Sequence, residues 1–202
     1  MYEQQLAADT THIPSEYLRS RGLSMEVARR YRFGYVAEPL DGHGWLKGRL
    51  VIPYITQAGV VNVKYRCLEN HDCKVECKGR KYLFEPGSQA TLFNVNSLLT
   101  KSNAIVLTEG ELDAVAVEAL AGLPAVGYPG VEMWGPNRYW RYCFDGFGTV
   151  FILADGDEAG RTAAEKILAD LPTGVIVSMP EGHDANSFIL EYGIDAFKEK
   201  LK

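Results

Sequence analysis

From Ala104 onward, short unbroken apolar runs alternate with longer stretches whose apolar residues recur at helical spacing. The runs Ala104 to Leu107, Ala125 to Tyr128, Thr149 to Ala154 and Val175 to Ser178 are mostly β-branched or bulky, as strands covered by helices on both faces should be. Between them Glu111 to Ala121, a short piece around Pro136 to Tyr142, and Gly160 to Leu171 read as helices, and a last helix begins near Asp184. This alternation predicts parallel βαβ units with right-handed crossovers.

The first half follows a different rhythm. Pro14 to Arg21 and Ser24 to Tyr31 are short helical patterns, the first ended by Gly22 and the second opened by Ser24 as N-cap. Arg49-Leu50-Val51-Ile52-Pro53-Tyr54, Val60 to Arg66 and Lys81-Tyr82-Leu83-Phe84 then read as strands, with Gln57-Ala58-Gly59 as the hairpin turn between the first two. Residues 1–102 are thus expected to form a small mixed α+β subdomain with antiparallel pairing. Residues 103–202 are expected to form an α/β domain. The junction carries no low-complexity linker, and the chain has no internal repeat.

Composition sets the class. With 202 residues, 47% of them hydrophobic and 11% aromatic, the chain has material for a real core. No apolar stretch approaches the ~20 residues needed to span a bilayer. The start, Met1-Tyr2-Glu3-Gln4-Gln5, lacks the basic-then-apolar pattern of a secretion signal, so a cytoplasmic location is expected, in a bacterial cell or a phage-infected host, with no membrane partner. The net charge of -5 is unevenly spread. From His43 to Tyr82, eight basic residues (Lys47, Arg49, Lys64, Arg66, Lys74, Lys78, Arg80, Lys81) face three acids (Glu69, Asp72, Glu76), a balance of +5. From Ala104 to the C-terminus seven basic residues face sixteen acidic ones, a balance of -9 that would repel polyanions unless cations neutralise it.

The acids of the second half are placed as well as numerous. Glu109-Gly110-Glu111-Leu112-Asp113 follows the strand Ala104 to Leu107, and Asp155-Gly156-Asp157-Glu158-Ala159-Gly160 follows Thr149 to Leu153. Ligands of open α/β sheets gather outside the carboxyl ends of strands where strand order reverses. If these strands are neighbours, their acids meet across ~5 Å of sheet spacing. That is within reach of one Mg²⁺, or of two ions ~4 Å apart as in phosphoryl-transfer sites. Unneutralised, such acids repel one another, and some stay protonated near neutral pH. Asp113 in a first helical turn also suits the helix dipole, and Asp184 suits an N-cap, so both have structural roles beside ligation.

Cys67, His71, Cys73 and Cys77 offer four soft ligands within eleven residues, enough for a tetrahedral Zn²⁺. The spacing is not that of a standard knuckle, and no second Cys pair lies across a loop. The sequence therefore favours reduced thiols in an insertion between two strands over zinc. Trp134, Tyr139 and Trp140 lie near the acidic turns, where aromatics either stack on bases or pack the core, and packing is the commoner fate.

Taken together, strand-Glu-Gly-x-x-Asp, strand-Asp-x-Asp-x-x-Gly and Gly182-His183-Asp184-Ala185-Asn186 resemble the Toprim domain of primases, topoisomerases and some nucleases. Upstream, Lys81-Tyr82-Leu83 and Leu92-Phe93-Asn94 look like signatures of DnaG-type primases. Arg49 to Pro53, Val63 to Arg66, Tyr17 to Ser24 and Phe33-Gly34-Tyr35 are similar to the opening of the same catalytic core. Gly182 to Asn186 resembles phage primase-helicases more than the bacterial enzyme.

The resemblance implies a Rossmann-like, mostly parallel four-stranded Toprim sheet with flanking helices. It implies a nucleotidyltransferase that makes short RNA primers from ribonucleoside triphosphates on single-stranded DNA. It assigns Glu109, Asp155 and Asp157 to catalysis and, with Asp113 and Asp184, to Mg²⁺ or Mn²⁺. Arg49, Lys64, Arg66 and Lys81 match positions that face nucleotide or template. Primases usually carry a zinc-binding template-recognition domain and a helicase or helicase-binding domain. Neither fits here, so a separate zinc protein and a replicative helicase are the partners it points to. A Toprim nuclease using the same acids, or a non-catalytic single-stranded-DNA-binding factor, are the competing functions. A topoisomerase needs a further tyrosine-bearing domain, and the acid pair sits after the wrong strand for an Asp-x-Asp phosphatase.

Overall fold

In the computed structural model, which describes residues 1–77 and 80–202, the chain divides into two units. One is Met1–Tyr54 with Ala58–Gln89, the other Ile55–Gln57 with Ala90–Lys202. Lys78, counted in the basic run, lies outside the described residues.

The first unit opens with three short helices, α1 (Tyr2–Ala8), α2 (Ile13–Ser20) and α3 (Met25–Arg30). Ser24 caps α3, its Oγ accepting from Val27 N at 3.2 Å. Gly22 ends the preceding turn at φ +69°. Helix α1 was not expected, because it buries one apolar residue, Leu6, and has no periodic signal to read. It is held by Gln5, whose Oε1 accepts from Ala37 N and Glu38 N at 2.9 and 3.0 Å. Four antiparallel strands follow in the order β1-β2-β3-β4: β1 (Gly34–Tyr35), β2 (Arg49–Thr56), β3 (Gly59–Cys67) and β4 (Tyr82–Phe84). The turn between β2 and β3 closes at Gly59, φ +112°. β3 meets β4 with Lys64 opposite Phe84 and Arg66 opposite Tyr82.

The second unit is the α/β domain. Strands β5 (Ala104–Thr108), β6 (Ala125–Gly127), β7 (Thr149–Ala154) and β8 (Gly174–Ser178) form a parallel sheet in the order β6-β5-β7-β8. Helices α4 (Glu111–Ala116), α5 (Glu158–Leu168) and α6 (Ala185–Glu199) flank it. Helix α4 loosens into a wider turn over Val117–Ala121 before Gly122 stops it at φ +71°. The short helix of the sequence pattern is a 3₁₀ segment, Gly135–Phe144, broken at Asn137. Ile105, Leu107, Val150 and Ile152 are fully buried, as continuous apolar strands require. β8 departs from that pattern: it is an edge strand, and Val175 is 46% exposed.

The upstream Leu92-Phe93-Asn94 signature has a physical explanation. Leu92 is buried, Phe93 N and O bond Gly127 O and N at 2.8 and 3.2 Å, and this bridge covers the free edge of β6. Asn94, at φ +59°, donates through Nδ2 to Ala125 O at 2.8 Å and to Glu118 Oε2 at 2.5 Å. The aromatics near the acids are packing. Trp134 and Trp140 are buried in the core, and Trp134 Nε1 donates to Asp170 Oδ2 at 3.0 Å. Tyr139 is exposed.

Candidate metal centre

The chain leaves β5, moves outward to β6, then returns across β5 to β7. The β5/β7 pair is therefore the switch point of the sheet, where the open ends of an α/β fold form a crevice. Glu109 follows the last residue of β5, and Asp155 follows the last residue of β7. The strands of the two acidic motifs are neighbours, with Leu107 opposite Ile152.

Local chemistry fixes each turn. Buried Thr108 donates from Oγ1 to Gly110 O at 2.9 Å, which ties the Glu109-Gly110 turn. Gly156 donates to His183 O at 2.8 Å, and a Cβ on it would lie 1.8 Å from Pro180 O. Only glycine lets the Asp155–Asp157 turn pass that backbone. At Gly160 a Cβ would come within 2.9 Å of Asp155's Cβ, N and O. Glycine three residues after the second aspartate is thus what lets the first turn of α5 sit against Asp155.

Each acid has a distinct setting. Asp157 is exposed and caps α5, its Oδ1 accepting from Gly160 N at 2.7 Å. Asp184 caps α6, accepting from Ser187 N at 2.7 Å, while Ser187 Oγ accepts from Asp184 N at 3.0 Å in a capping box. Asp113 is buried in the first turn of α4 and accepts from Asn186 N at 3.0 Å. Asp155 is half-buried and is pushed up to about 8, first by burial and then by the charges of Asp113, Glu109, Asp184 and Asp157. All five predicted acids act on this one point.

Tyr128, directly after β6, was not singled out from sequence. Its ring is buried, its hydroxyl has no hydrogen-bond partner, and burial followed by Glu109, Asp155 and Asp113 raises its phenol. The signal that could have found it is position: it stands at the carboxyl end of the third of three neighbouring strands.

These residues fit a divalent ion of the Mg²⁺ or Mn²⁺ kind. The donors are hard carboxylate oxygens, burial and then mutual repulsion raise one of them, and a buried hydroxyl beside them is orphaned. They are not drawn into a closed ligand set. Among the described residues, the group of three or more ligand atoms lying within 4.8 Å of one another is Cys67, His71, Cys73 and Cys77.

The basic residues divide. Arg49 is buried, and its guanidinium donates to Arg80 O at 3.1 Å and Lys81 O at 3.3 Å, so it braces the chain entering β4. Lys64 places Nζ 4.6 Å from the Tyr82 ring centre and 5.3 Å from that of Phe84. Arg66 stacks 4.8 Å from Tyr17 and 5.1 Å from Tyr82. Lys81 is exposed. Arg66 and Lys81 thus give β3 and β4 a basic and aromatic face, with the buried Arg49 and Lys64 built into its frame.

A family model described as Toprim-like matches residues 106–189, the span that holds the acids. The Gene 57 protein of Mycobacterium phage D29 is 38% identical over 161 residues, covering 77% of this chain and 99% of that protein. The DNA primase of Pasteurella multocida is 27% identical over 241 residues, covering all of this chain and 40% of the primase. The chain therefore spans about two fifths of the length of that primase. Among solved structures, a DnaG primase catalytic domain bound to single-stranded DNA superposes with a TM-score of 0.77 at 23% identity. It covers 99% of this chain and 74% of that one. The fold and the site define a Toprim protein. The chain belongs to the family of the phage D29 Gene 57 protein, carries a Toprim-like domain, and has the fold of DnaG-type primase catalytic cores.

Proposed function

We propose that this chain is a primase catalytic core that joins ribonucleotides into short RNA primers on single-stranded DNA. The observation that carries this reading is the convergence of Glu109, Asp113, Asp155, Asp157 and Asp184 on the switch point of a primase-type sheet, with the Asp155 carboxyl raised by burial and then by the other four. Glu109, Asp155 and Asp157 would hold Mg²⁺ or Mn²⁺, with Asp113 and Asp184 behind them. Divalent ions, when bound, neutralise the triphosphate and activate the attacking 3′-hydroxyl, in a two-metal nucleotidyl transfer. Glu109 is the residue proposed to move the proton.

The chain's own part is positioning and electrostatics. The caps on α5 and α6 fix the Asp157 and Asp184 side chains, and the Thr108 tie fixes Glu109. Lys64, Arg66 and Lys81 are proposed to meet nucleotide phosphates or template through charge-assisted bonds. The rings of Tyr17 and Tyr82 hold Arg66 flat for that contact. A relative of the same fold bound to single-stranded DNA is consistent with the template class. A replicative helicase and a separate zinc-binding template-recognition protein are the proposed partners.

The test is incorporation of labelled ribonucleotides on single-stranded DNA with Mg²⁺ or Mn²⁺, run beside Asp155→Ala, with template cutting read on the same gel. Metal-dependent short products that vanish in the variant are expected. Cutting without products would make the protein a nuclease, and DNA binding with neither would make it a binding factor.

A further inference from the structure

Among its described residues, the connection from β3 to β4 has no apolar core. Among the described residues from Arg66 to Thr91, no hydrophobic side chain is buried, and Val75 is 73% exposed. Its backbone is nonetheless hydrogen-bonded around Asp72. Asp72 Oδ1 accepts from Lys74 N at 2.9 Å, and its carbonyl accepts from Val75 and Glu76 N at 3.0 and 2.9 Å. This turn brings Cys73 and Cys77, four residues apart, to one side. Cys67, the last residue of β3, is joined to β4 through its N–H on Lys81 O at 2.9 Å.

The four ligand atoms all lie within 4.8 Å of one another, and two of their separations match the edges of a metal shell. With Zn–S near 2.3 Å and Zn–N near 2.0 Å, tetrahedral edges are about 3.8 Å for sulfur to sulfur and about 3.5 Å for sulfur to nitrogen. Cys67 Sγ lies 3.8 Å from Cys77 Sγ and 3.5 Å from His71 Nε2. His71 Nε2 to Cys77 Sγ is 2.9 Å, shorter than such an edge, and an ion between them would open it.

Two further features point to a cation. His71 turns Nε2 to the sulfurs while Nδ1 faces Glu69 Oε2 at 3.2 Å and Glu76 Oε2 at 3.7 Å, the carboxylate-backed arrangement of metal-binding imidazoles. A Zn²⁺ held by three thiolates and a neutral imidazole carries a net charge of about -1. The buried Arg49 guanidinium lies against that charge, with Nη2 3.8 Å from Cys77 Sγ.

We propose that Cys67, His71, Cys73 and Cys77 bind a structural Zn²⁺ that folds the β3–β4 connection, replacing the core it lacks. The site is apart from the acidic centre in ligand chemistry and does not depend on the function proposed for that centre. On loading, three thiols lose their protons to solvent as the Zn–S bonds form, with no change of oxidation state.

The test is metal analysis of the whole chain after dialysis into metal-free buffer, together with Co²⁺ titration of the chelator-stripped protein. About one zinc per chain is expected, with a tetrahedral cobalt spectrum that includes thiolate charge-transfer absorption. Cys143→Ser should retain both, while Cys67→Ser/Cys77→Ser should lose both. Oxygen ligands alone, such as the acidic centre, give weak cobalt bands without thiolate absorption. The proposal is overturned by a wild-type chain that holds no zinc and shows only those weak bands. It is equally overturned by a Cys67–Cys77 disulfide in the protein as purified, or by unchanged metal in the double variant. Should the variant not fold, the cobalt spectrum of the wild-type chain decides alone.

Discussion

Asp155 and Asp157 are two residues apart, and the site asks the same of both, but the fold does not. Asp155 is a half-buried carboxyl surrounded by four others, and nothing in its setting favours its charge. Asp157 is exposed and holds the first turn of α5 through Gly160 N. Asp155→Ala and Asp157→Ala should each abolish metal-dependent nucleotide incorporation. In urea melts at pH 8 without divalent ions, Asp155→Ala should be more stable than the parent, whereas Asp157→Ala should lose about 1 kcal/mol with its cap. Equal shifts in both variants would mean that repulsion at Asp155 is not what the geometry implies. Tyr128 permits a related check. Its hydroxyl is buried without a partner, so Tyr128→Phe removes an unpaid desolvation cost and should raise the urea midpoint by roughly 1 kcal/mol equivalent.

At the scale of elements, the second unit was readable because its central strands β5 and β7 are short, continuous and largely buried, and because strands alternate with helical stretches. The order β6-β5-β7-β8 was not readable, since pairing partners leave no trace in a single sequence. The adjacency of β5 and β7 had to be supposed before the acids could be brought together. α1 left no signal because one buried leucine makes no periodicity. The exposure of Val175 follows from β8 lying at an edge, which again is a matter of order. The buried Arg49 and Lys64 could not be told from the exposed Lys81 in sequence, because a cation bonded or stacked inside the fold looks like any other in a basic strand. Asn94 was legible only as part of a signature, and the structure gives the reason for it. It combines a left-handed backbone with bonds to Ala125 O and Glu118 that latch the approach to β5 onto the end of α4. Asn94→Gly keeps the backbone freedom and removes the side chain, so it isolates the latch. It should cost about 1 to 3 kcal/mol in urea melts, because a charge-assisted bond is among those lost. A neutral result would leave Asn94 with a backbone role only.

For the whole molecule, the excess of acids in the second half, seven basic against sixteen acidic residues from Ala104 on, makes pH and divalent ions linked variables. The folded chain holds a proton on Asp155 up to about pH 8, while the unfolded chain releases it in the ordinary carboxylate range near pH 4. Between those values the native state binds more protons than the unfolded state, so stability falls as pH rises. Below about pH 4 both states are protonated and the penalty is absent; above about 8 it is complete. Because the group is only half-buried, solvent screening should hold the loss to roughly 1 to 3 kcal/mol. Mg²⁺ held at the proposed site would bind the deprotonated acids, so it should restore stability most at the alkaline end and little at pH 5. Urea midpoints taken from pH 5 to 9, in EDTA and in Mg²⁺, test this directly. The EDTA curve should fall with pH, the Mg²⁺ curve should stay flatter, and Asp155→Asn should flatten the EDTA curve by removing the titrating group. If Mg²⁺ separates the two curves equally at pH 5 and pH 9, the ion is not competing with protons at this site. The carboxylates at the β5/β7 switch point would then not be its ligands.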